Sequence, residues 1–568
     1  MNHERSLSSA ARGQLPPSPR PGVALLASTA EDGPSFASPQ KSTVTMLLAP
    51  QPDQKILPAA VSMAVSQQRT RRSFRLTHRW LLASILLLQA ALSVRLLWAN
   101  TAFDDEGLYL WAGHLEWSHW LHGTSSATLT GFPTWFSGAP VVYPPLGAIA
   151  DILGGLAGAR LLSLVFMLGA SLCLYGTTKR LLDGSAALFA ALAWVVLAPT
   201  QILSAFATYD PMAIFLLAFG TWLGVRAGDR RTYARVFLLA TSGVMLALAC
   251  AAKYATALWV PAAVAVVAIA TWQLTRVGVG VLTGLGLAVW WGGVVAAALE
   301  VAGPDYWHGI LFTTLARNSN SVPAVVVLDK AFGWIWPVLI FGILALLSSV
   351  ASSWSVRFLC CCTVGAALLA PLNQARLHTS TSLQKHVDFG AWFAAIAVGY
   401  LLSRLCQIDA RAAWRAVLAG CIALVLAGSL HTANGIASTW WPNYSGAIKA
   451  LRFVRPSSRP LLMAFSNTGY YYLHDQVYPG QINKYGGYLW WNATTHTELT
   501  GLPAVSAALA AHHFSGVELS EQAVSPKEYQ AILRQLTNPH SGYNLIYKRP
   551  WTYFGKRSYQ WVWKLVKA

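Results

Sequence analysis

The sequence predicts a multi-pass α-helical membrane protein with about eleven spans, followed by a small α/β domain at the C-terminus. Three observations support this prediction. Of the 568 residues, 55% are hydrophobic and only 11% are charged, whereas a soluble globular protein carries about 25% charged residues. Long apolar runs recur between residues 80 and 432. From residue 433 onward the apolar runs become short, which is typical of a soluble domain.

The first 79 residues precede the apolar runs and are rich in Pro, Ser, Ala and Gln, with 10 basic and 4 acidic residues. A polar segment without periodicity cannot bury a core, so we predict that residues 1–79 are a disordered cytoplasmic extension. A secretory signal peptide is the alternative, but the lead-in and the following apolar run are both too long for one. The extension ends in an arginine cluster: Arg69, Arg71, Arg72, Arg75 and Arg79.

Residues 80–432 supply the predicted membrane domain. A helix needs about 20 apolar residues to cross a bilayer, and eleven runs approach or reach that length. Their predicted bounds are 80–99, 156–177, 184–199, 211–225, 236–251, 255–272, 278–300, 331–349, 356–371, 389–403 and 416–432.

Charge distribution predicts the orientation of these spans. If the N-terminus is cytoplasmic, the inner loops hold eleven basic residues and three acids, while ten acids lie on the outer side. This asymmetry is the one expected of a plasma-membrane protein, and an odd number of spans places the C-terminus outside the cytoplasm. The preference of basic residues for the cytoplasmic side and the attraction of anionic lipid headgroups also account for the net charge of +19. Nucleic acid is therefore not a predicted partner.

Residues 433–568 form the predicted extracytoplasmic domain. Helix-like stretches at 447–454, 502–512 and 526–536 alternate with short apolar runs, and the segment has 13 basic and 5 acidic residues. Alternating helices and strands indicate a small α/β domain.

The first outer loop, residues 100–155, contains the most informative motif. Asp104, Asp105 and Glu106 follow the first span directly. Ionisable groups beside the hydrocarbon layer are costly to desolvate and therefore point to function. The alternative is a solvated acidic loop. Two prolines fix the chain before it re-enters the membrane, in Tyr143-Pro144-Pro145.

Further polar groups fall on the same predicted outer side. Asp210 opens the fourth span, where a simple helix N-cap is the alternative. Lys253 follows the fifth span, where a lysine snorkelling to the headgroups is the alternative. Basic groups opposite an acid cluster suit a phosphate leaving group, and four of them lie between the ninth and tenth spans: Arg376, His378, Lys385 and His386.

These motifs resemble those of the GT-C membrane glycosyltransferases that use polyprenyl-phosphate sugars, among them the protein O-mannosyltransferases and the lipid A aminoarabinose transferases. In that family an Asp-Glu pair in the first outer loop is followed three residues later by Tyr, as in Asp105, Glu106 and Tyr109. A Pro-Pro-Leu element closes the loop, as at 144–146, and a second acid heads a later helix, as at Asp210.

The resemblance covers residues 100–390 and departs from the family pattern at Tyr143, where relatives have His or Lys. It implies a GT-C-like fold and transfer of a sugar from a polyprenyl-phosphate donor to a hydroxyl of an extracytoplasmic protein, lipid or cell-wall glycan, with inversion at the anomeric carbon. The composition, heavy in Ala, Leu, Gly and Arg, is typical of a bacterial protein.

The resemblance also implies roles for particular residues. Asp105 and Glu106 would be the catalytic carboxylates, with Asp105 as general base. Asp210 and Tyr109 would shape the acceptor side, and a divalent cation, if one is used, would bind among Asp105, Glu106 and Asp210. The donor phosphate would contact Lys385, His386, Arg376 and Lys253. Tyr143, Pro144 and Pro145 would form the pocket wall.

Two other functions stay open at this stage. A multi-span transporter would have internal repeats and polar residues near mid-membrane. The sequence shows no repeat, and its acids cluster on one side. A non-catalytic envelope-assembly protein would use the spans only as an anchor for a C-terminal domain that binds a wall polymer.

Overall fold

A computed structural model describes residues 77–317, 321–407, 412–441, 443–454, 459–492, 495–521, 523–553 and 556–566. The predicted cytoplasmic extension therefore lies outside the described residues up to residue 76.

The described chain as far as residue 440 is mainly helical, as expected where the lipid offers the backbone no hydrogen-bonding partner. The helices are α1 (Thr77–Val94), α2 (Asp104–His122), α3 (Ala127–Trp135), α4 (Tyr143–Leu181), α5 (Gly184–Val195), α6 (Ala198–Leu203), α7 (Tyr209–Ala227), α8 (Thr232–Ala252), α9 (Val260–Trp272), α10 (Val277–Ala302), α11 (Pro304–Ile310), α12 (Ala324–Ser348), α13 (Trp354–Arg376), α14 (Leu383–Gln407) and α15 (Ala412–Gly435).

Each of the eleven predicted spans coincides with a helix, so the predicted fold class is confirmed. In the part of the chain that the structure describes, nine helical segments are long and apolar enough to cross a membrane. The predicted count of eleven is therefore not matched. The two others are α5, which has only 12 residues before the proline-started α6, and α7, which carries Asp210 in its first turn and Arg226 in its last.

Helix α14 lies at the centre of the bundle. All its residues from Lys385 to Ser403 are buried, and it packs against α5, α12 and α13. Helix α15, in contrast, is largely exposed along its length, as expected of a helix that faces lipid.

Helix α4 contains a break between its outer part and its membrane span. Pro144 and Pro145 occupy its first turn, where the missing N–H groups have no intrahelical acceptor to lose. At Gly155 the backbone adopts φ +59°, a conformation that glycine tolerates. The span that follows begins where the sequence predicts it, at residue 156.

A buried ion pair joins four segments at one end of the bundle. The Arg160 guanidinium on α4 donates to both carboxylate oxygens of Glu106 on α2, at 2.8 and 2.7 Å. The same oxygens accept from the backbone N–H groups of Phe103 at 2.9 Å and Ala207 at 2.8 Å. The remaining Arg160 donors bind backbone carbonyls of the segment after α1: Leu97, Asn100 and Thr101.

The C-terminal region is the predicted small α/β domain. Its five-stranded sheet has the order β2-β1-β5-β7-β6, with β1 parallel to β2 and β5, and β7 antiparallel to β5 and β6. A separate antiparallel ribbon pairs β3 with β4. The elements are α16 (Ser445–Arg452), β1 (Leu461–Met463), α17 (Ser466–Leu473), β2 (Ile482–Lys484), β3 (Leu489–Asn492), β4 (Thr497–Thr500), α18 (Gly501–Ala510), β5 (Gly516–Ser520), α19 (Pro526–Thr537), β6 (Tyr543–Tyr553) and β7 (Lys556–Leu565).

This domain docks on α2 through α17. The Trp111 and Tyr470 rings stack with centroids 4.2 Å apart. A Cβ on Gly107 would lie 2.9 Å from the Asn467 carbonyl oxygen, so α2 needs glycine at the crossing point. The Asn467 amide also donates to Asp104 at 2.9 Å. The loop region that follows α1 and the C-terminal domain thus share one packed interface.

We predict that Arg160→Ala lowers the free energy of unfolding by about 3–5 kcal/mol, because it leaves the Glu106 carboxylate buried without its cation. The matched control is Arg180→Ala, which removes the partly exposed ion pair to Asp229 and should cost less than about 1 kcal/mol. Thermal unfolding of both variants in detergent measures the difference. Equal stability of the two variants would contradict the prediction.

Candidate functional site

A cavity of about 990 Å³ opens beside the start of α2. Residues of α2, α12 and α14 contribute charged groups to its wall, and the segment at and just after the end of α15 contributes Thr432, Ile436 and Trp441. Its polar lining includes Asp105, Tyr109, Arg317, Lys330 and Lys385. Asp329 lines it as well, so the cavity combines two acids, three cations and an aromatic wall, an arrangement suited to a polar ligand with an apolar tail.

Asp105 and Lys385 form the central contact of this site. The Lys385 ammonium donates to the Asp105 carboxylate at 2.6 Å. The Asp105 side chain is 34% exposed to the cavity, whereas that of Lys385 is 6% exposed. Both residues lie in the first turn of a helix, Asp105 on α2 and Lys385 on α14. The two helix starts meet at the cavity wall. Acidic residues are favoured in the first turn of a helix, which suits Asp105 to its position.

A second ion pair lies behind the first. The Asp210 carboxylate accepts from the ammonium of Lys253, and from the hydroxyl of Thr208 at 2.9 Å. The Lys385 Nζ atom lies 3.9 Å from Oδ2 of the same Asp210 carboxylate. The side chains of Asp105, Lys385, Asp210 and Lys253 thus form a row of alternating charges.

The two simpler interpretations of this second pair are wrong. Lys253 is 2% exposed and binds a buried acid, so it does not snorkel to the headgroups. Asp210 lies in the first turn of α7, whose N-cap residue is Thr208, and its oxygens bind side chains.

The structure brings other predicted residues to different places. Glu106 is buried in the Arg160 ion pair and does not line the cavity. Arg376 is exposed at the end of α13, bound to Asn373 at 3.1 Å, and also lies outside the cavity lining. His386 is buried next to Lys385 in α14 without reaching the lining.

The predicted pocket wall supports α2 from behind. Tyr143, Pro144 and Pro145 are buried at the start of α4 and are absent from the cavity lining. The Trp117 indole of α2 donates to the Pro145 carbonyl at 2.9 Å, and Tyr143 shares an apolar cluster with Tyr109. These residues therefore support α2 and do not line the cavity.

Sequence reasoning missed two cations of the cavity, Arg317 and Lys330. Arg317 follows α11, and Lys330 comes just before the predicted span 331–349. A usable signal was present in the sequence. Arg317 and Lys330 both lie in a predicted outer loop, where the charge asymmetry predicts few basic residues. Two cations in such a loop are a signal for a functional role.

Metal-binding groups are not gathered in the described part of the chain, where no cluster of three or more His, Cys, Asp or Glu side chains could hold an ion. Asp105 and Asp210, the acids suggested for a divalent cation, each contact a lysine ammonium instead.

Asp104 faces the C-terminal domain rather than the cavity. Its burial and the neighbouring Asp105 charge raise its pKa to about 6, although the hydrogen bond from Asn467 opposes the shift. Asp104 and Asp105 thus differ in environment, since one binds the docked domain and the other binds Lys385.

Comparison with known proteins gives one family-model match and several similar solved structures. Residues 139–291 match the family model described as dolichyl-phosphate-mannose-protein mannosyltransferase. No curated protein matches the chain by sequence. ArnT from Cupriavidus metallidurans bound to undecaprenyl phosphate superimposes with a TM-score of 0.55 at 14% identity, covering 85% of this chain and 97% of that one.

A second similar structure is the archaeal oligosaccharyltransferase AglB from Archaeoglobus fulgidus in complex with an inhibitory peptide and a dolichol-phosphate. It has a TM-score of 0.52 at 13% identity, covering 85% of this chain and 74% of that one. The predicted resemblance to GT-C membrane glycosyltransferases is confirmed, and the chain has their fold.

We predict a pH-dependent stability that depends on Asp104. Because folding raises its pKa from 3.8 to about 6, the protonated form is favoured in the folded state. This contribution is complete below about pH 4 and is lost as the pH rises through 6. Between pH 4 and pH 8, the ionisation of Asp104 should lower the free energy of unfolding of the wild type by about 1–3 kcal/mol. Asp104→Asn stays neutral and should not show this loss.

Melting temperatures at both pH values measure this effect. The control is Glu498→Gln, which changes an exposed carboxylate of β4 and should keep the wild-type pH dependence. Parallel curves for the wild type and Asp104→Asn would show that Asp104 does not titrate in this range.

Proposed function

We propose that the protein transfers a sugar from a polyprenyl-phosphate donor to a hydroxyl of an extracytoplasmic acceptor, with inversion at the anomeric carbon. The observation that carries this proposal is the contact between the partly exposed Asp105 and the buried Lys385 at the cavity wall. Sugar transfer needs a base for the acceptor hydroxyl and a cation for the departing phosphate, and this pair supplies both.

The donor phosphate would bind among the cations of the cavity. Among the described residues, neither Arg317 nor Lys330 forms an ion pair with a carboxylate, and both line the cavity together with Lys385. Phosphate oxygens accept strong charge-assisted hydrogen bonds from such groups. We therefore assign the phosphate to Lys385, Arg317 and Lys330. His386 and Lys253 lie behind Lys385, and Arg376 takes no part.

The polyprenyl tail would follow the groove between α12 and α15. The cavity wall includes Phe332 and Trp334 of α12, and Thr432 of α15 with Ile436 just after it. Further along both helices is a smaller apolar crevice. The two openings share the same pair of helices, so an extended hydrocarbon chain could run from one to the other. The crevice is lined on these helices by Pro337, Val338, Phe341, Leu418, Cys421, Ile422 and Val425.

The reaction would begin when the donor phosphate draws Lys385 away from Asp105. The freed carboxylate of Asp105 takes the proton of the acceptor hydroxyl as its oxygen attacks the anomeric carbon. The new bond joins the acceptor oxygen to that carbon, and the bond from the carbon to the phosphate oxygen breaks. Polyprenyl phosphate leaves with the electron pair, stabilised by Lys385. Attack from the face opposite the phosphate inverts the configuration.

Other site residues would position these groups. Tyr109 lines the cavity one turn after Asp105 and packs against Tyr209, with ring centroids 4.4 Å apart, which suits the acceptor side. Asp210, neutralised by Lys253, would hold Lys385 at the boundary of the cavity. Glu106 would act as a positioning residue through Arg160.

The site would face the extracytoplasmic side of the plasma membrane. Its charged residues lie at the start of α7, at the start of α14 and at the end of α8. If successive spans alternate in direction, these helix ends lie on one side, which the charge asymmetry assigns to the outside. Clustering at one side favours a lipid-linked transferase over a transporter, whose binding site would lie near mid-membrane.

We predict that Asp105→Asn reduces sugar transfer by about 10²–10⁴-fold, because loss of a general base typically costs that much. The assay would use purified protein, a polyprenyl-phosphate sugar and an envelope extract as acceptor. Asp104→Asn, the neighbouring change outside the cavity, should lose far less activity. Wild-type rates from Asp105→Asn, or a deeper loss from Asp104→Asn, would reject Asp105 as the base.

We predict that Lys385→Gln weakens donor use by at least about tenfold in kcat/KM, since it removes a charge-assisted contact to the phosphate. Lys449→Gln is the matched control, because Lys449 is exposed on α16 and away from the cavity lining. Steady-state rates at varied donor concentration separate the two variants. Full activity of Lys385→Gln would place the phosphate elsewhere.

A further inference from the structure

The β6–β7 hairpin, residues 543–566, has an unusual composition for a surface element. It contains five basic residues and no acid, together with eight aromatic residues. An isolated lysine or proline on an edge strand protects it from pairing with other chains, which explains Lys548 and Pro550 on β6. It does not explain the absence of acids or the further cations on β7.

The hairpin lies beside the end of a predicted membrane span. The last turn of the α15 segment, Ile436–Trp440, contacts β6. Along β6, the Tyr547 hydroxyl lies against Gly446, and the Trp551 ring packs near Tyr444 at 6.2 Å. Strand β6 thus runs antiparallel to the chain that leaves α15, because Trp551 lies near Tyr444 and Tyr547 lies near Gly446. The C-terminal end of β6 is therefore the end nearer to α15 and to the bilayer surface.

Charged side chains at this end of the hairpin are exposed. Arg549, Lys556 and Arg557 are all exposed, and none of them forms an ion pair within the described residues. Lys548 lies over the Trp561 ring at 4.1 Å, which leaves its ammonium at the surface of the sheet.

One nearby acid, Glu521, is held by the β7 backbone. It accepts from the Tyr559 N–H at 3.3 Å, and its own N–H donates to the Tyr559 carbonyl. The buried Glu518 also contacts β7, by accepting from the Gln560 amide at 3.2 Å. The hairpin's five basic residues outnumber these two carboxylates, so its local charge stays positive.

We propose that the β6–β7 hairpin binds the anionic headgroups of the surrounding bilayer and so anchors the C-terminal domain to the membrane surface. The cations supply attraction to lipid phosphates, and the exposed ring of Tyr559 suits the headgroup layer. The proposal depends on α15 crossing the membrane. It is independent of sugar transfer, which its test does not measure.

Lysine acetylation in nanodiscs, followed by mass spectrometry, tests this surface in the full-length protein. Lys548 and Lys556 are the reporters, and Lys527 is the internal reference because it is exposed on α19. In discs containing phosphatidylglycerol, the reporters should react about fivefold more slowly than in phosphatidylcholine discs, the factor expected for one basic residue at an anionic surface. High salt should remove the difference, because it screens surface charge.

A pair of charge reversals adds a second arm to the test. Arg549→Glu should abolish the lipid-dependent protection of Lys556, whereas Arg534→Glu, an equal reversal on exposed α19, should preserve it. Equal reporter rates in the two lipids would overturn the proposal, and so would equal protection of Lys527. The wild-type lipid comparison stands even if a variant fails to fold.

Discussion

The geometry of the candidate site depends on the buried ion pair between Glu106 and Arg160. Glu106 follows Asp105 directly, so the pair fixes the residue that faces the cavity. Its carboxylate also binds the Ala207 N–H, three residues before Asp210. Through its other donors Arg160 binds the segment between α1 and α2. One guanidinium therefore sets the distance between the two acids of the site, although it touches neither of them.

Alternating charge is the second constraint on the site. Asp210 and Lys253 are almost fully buried, where an unpaired charge would be costly, and each neutralises the other. Lys385 lies between Asp210 and Asp105, and only Asp105 has substantial exposure. The row is therefore fixed at its buried end and open at the cavity, so an entering phosphate would meet Lys385 where it can exchange partners.

Much of the fold could be predicted from the sequence, because lipid imposes one simple rule on a spanning segment. All eleven apolar runs are helical, and α16, α18 and α19 lie close to the predicted helices of the C-terminal domain. Helix α17 escaped prediction because its sequence, SNTGYYYL, has no helical periodicity. Strands β2–β4 escaped it because three or four residues are too few to show an alternating pattern. Length and hydropathy select nine of the eleven runs as long and apolar enough to span, because α5 has only 12 residues and α7 carries a charged residue near each end.

The site was predictable to the extent that its residues lie in short motifs. Asp105 with Tyr109 forms one such motif, and Asp210 and Lys385 lie at helix starts that the apolar runs delimit. The Glu106–Arg160 pair was not predictable, since its partners are 54 residues apart and only folding brings them together. Arg376 was expected to contact the donor phosphate because it lies in the same loop as Lys385. In the structure Arg376 is exposed at the end of α13, away from the cavity.

The most direct test of this account is whether the cavity recognises a lipid phosphate. Native mass spectrometry can compare binding of undecaprenyl phosphate with that of undecaprenol, which has the same tail and no charge. The account predicts that the phosphate binds at least about tenfold more tightly, as expected for charge-assisted hydrogen bonds, and that neutralising Arg317, Lys330 and Lys385 together removes this preference. Equal affinity for the two lipids would contradict the assignment of the cavity to a polyprenyl-phosphate donor.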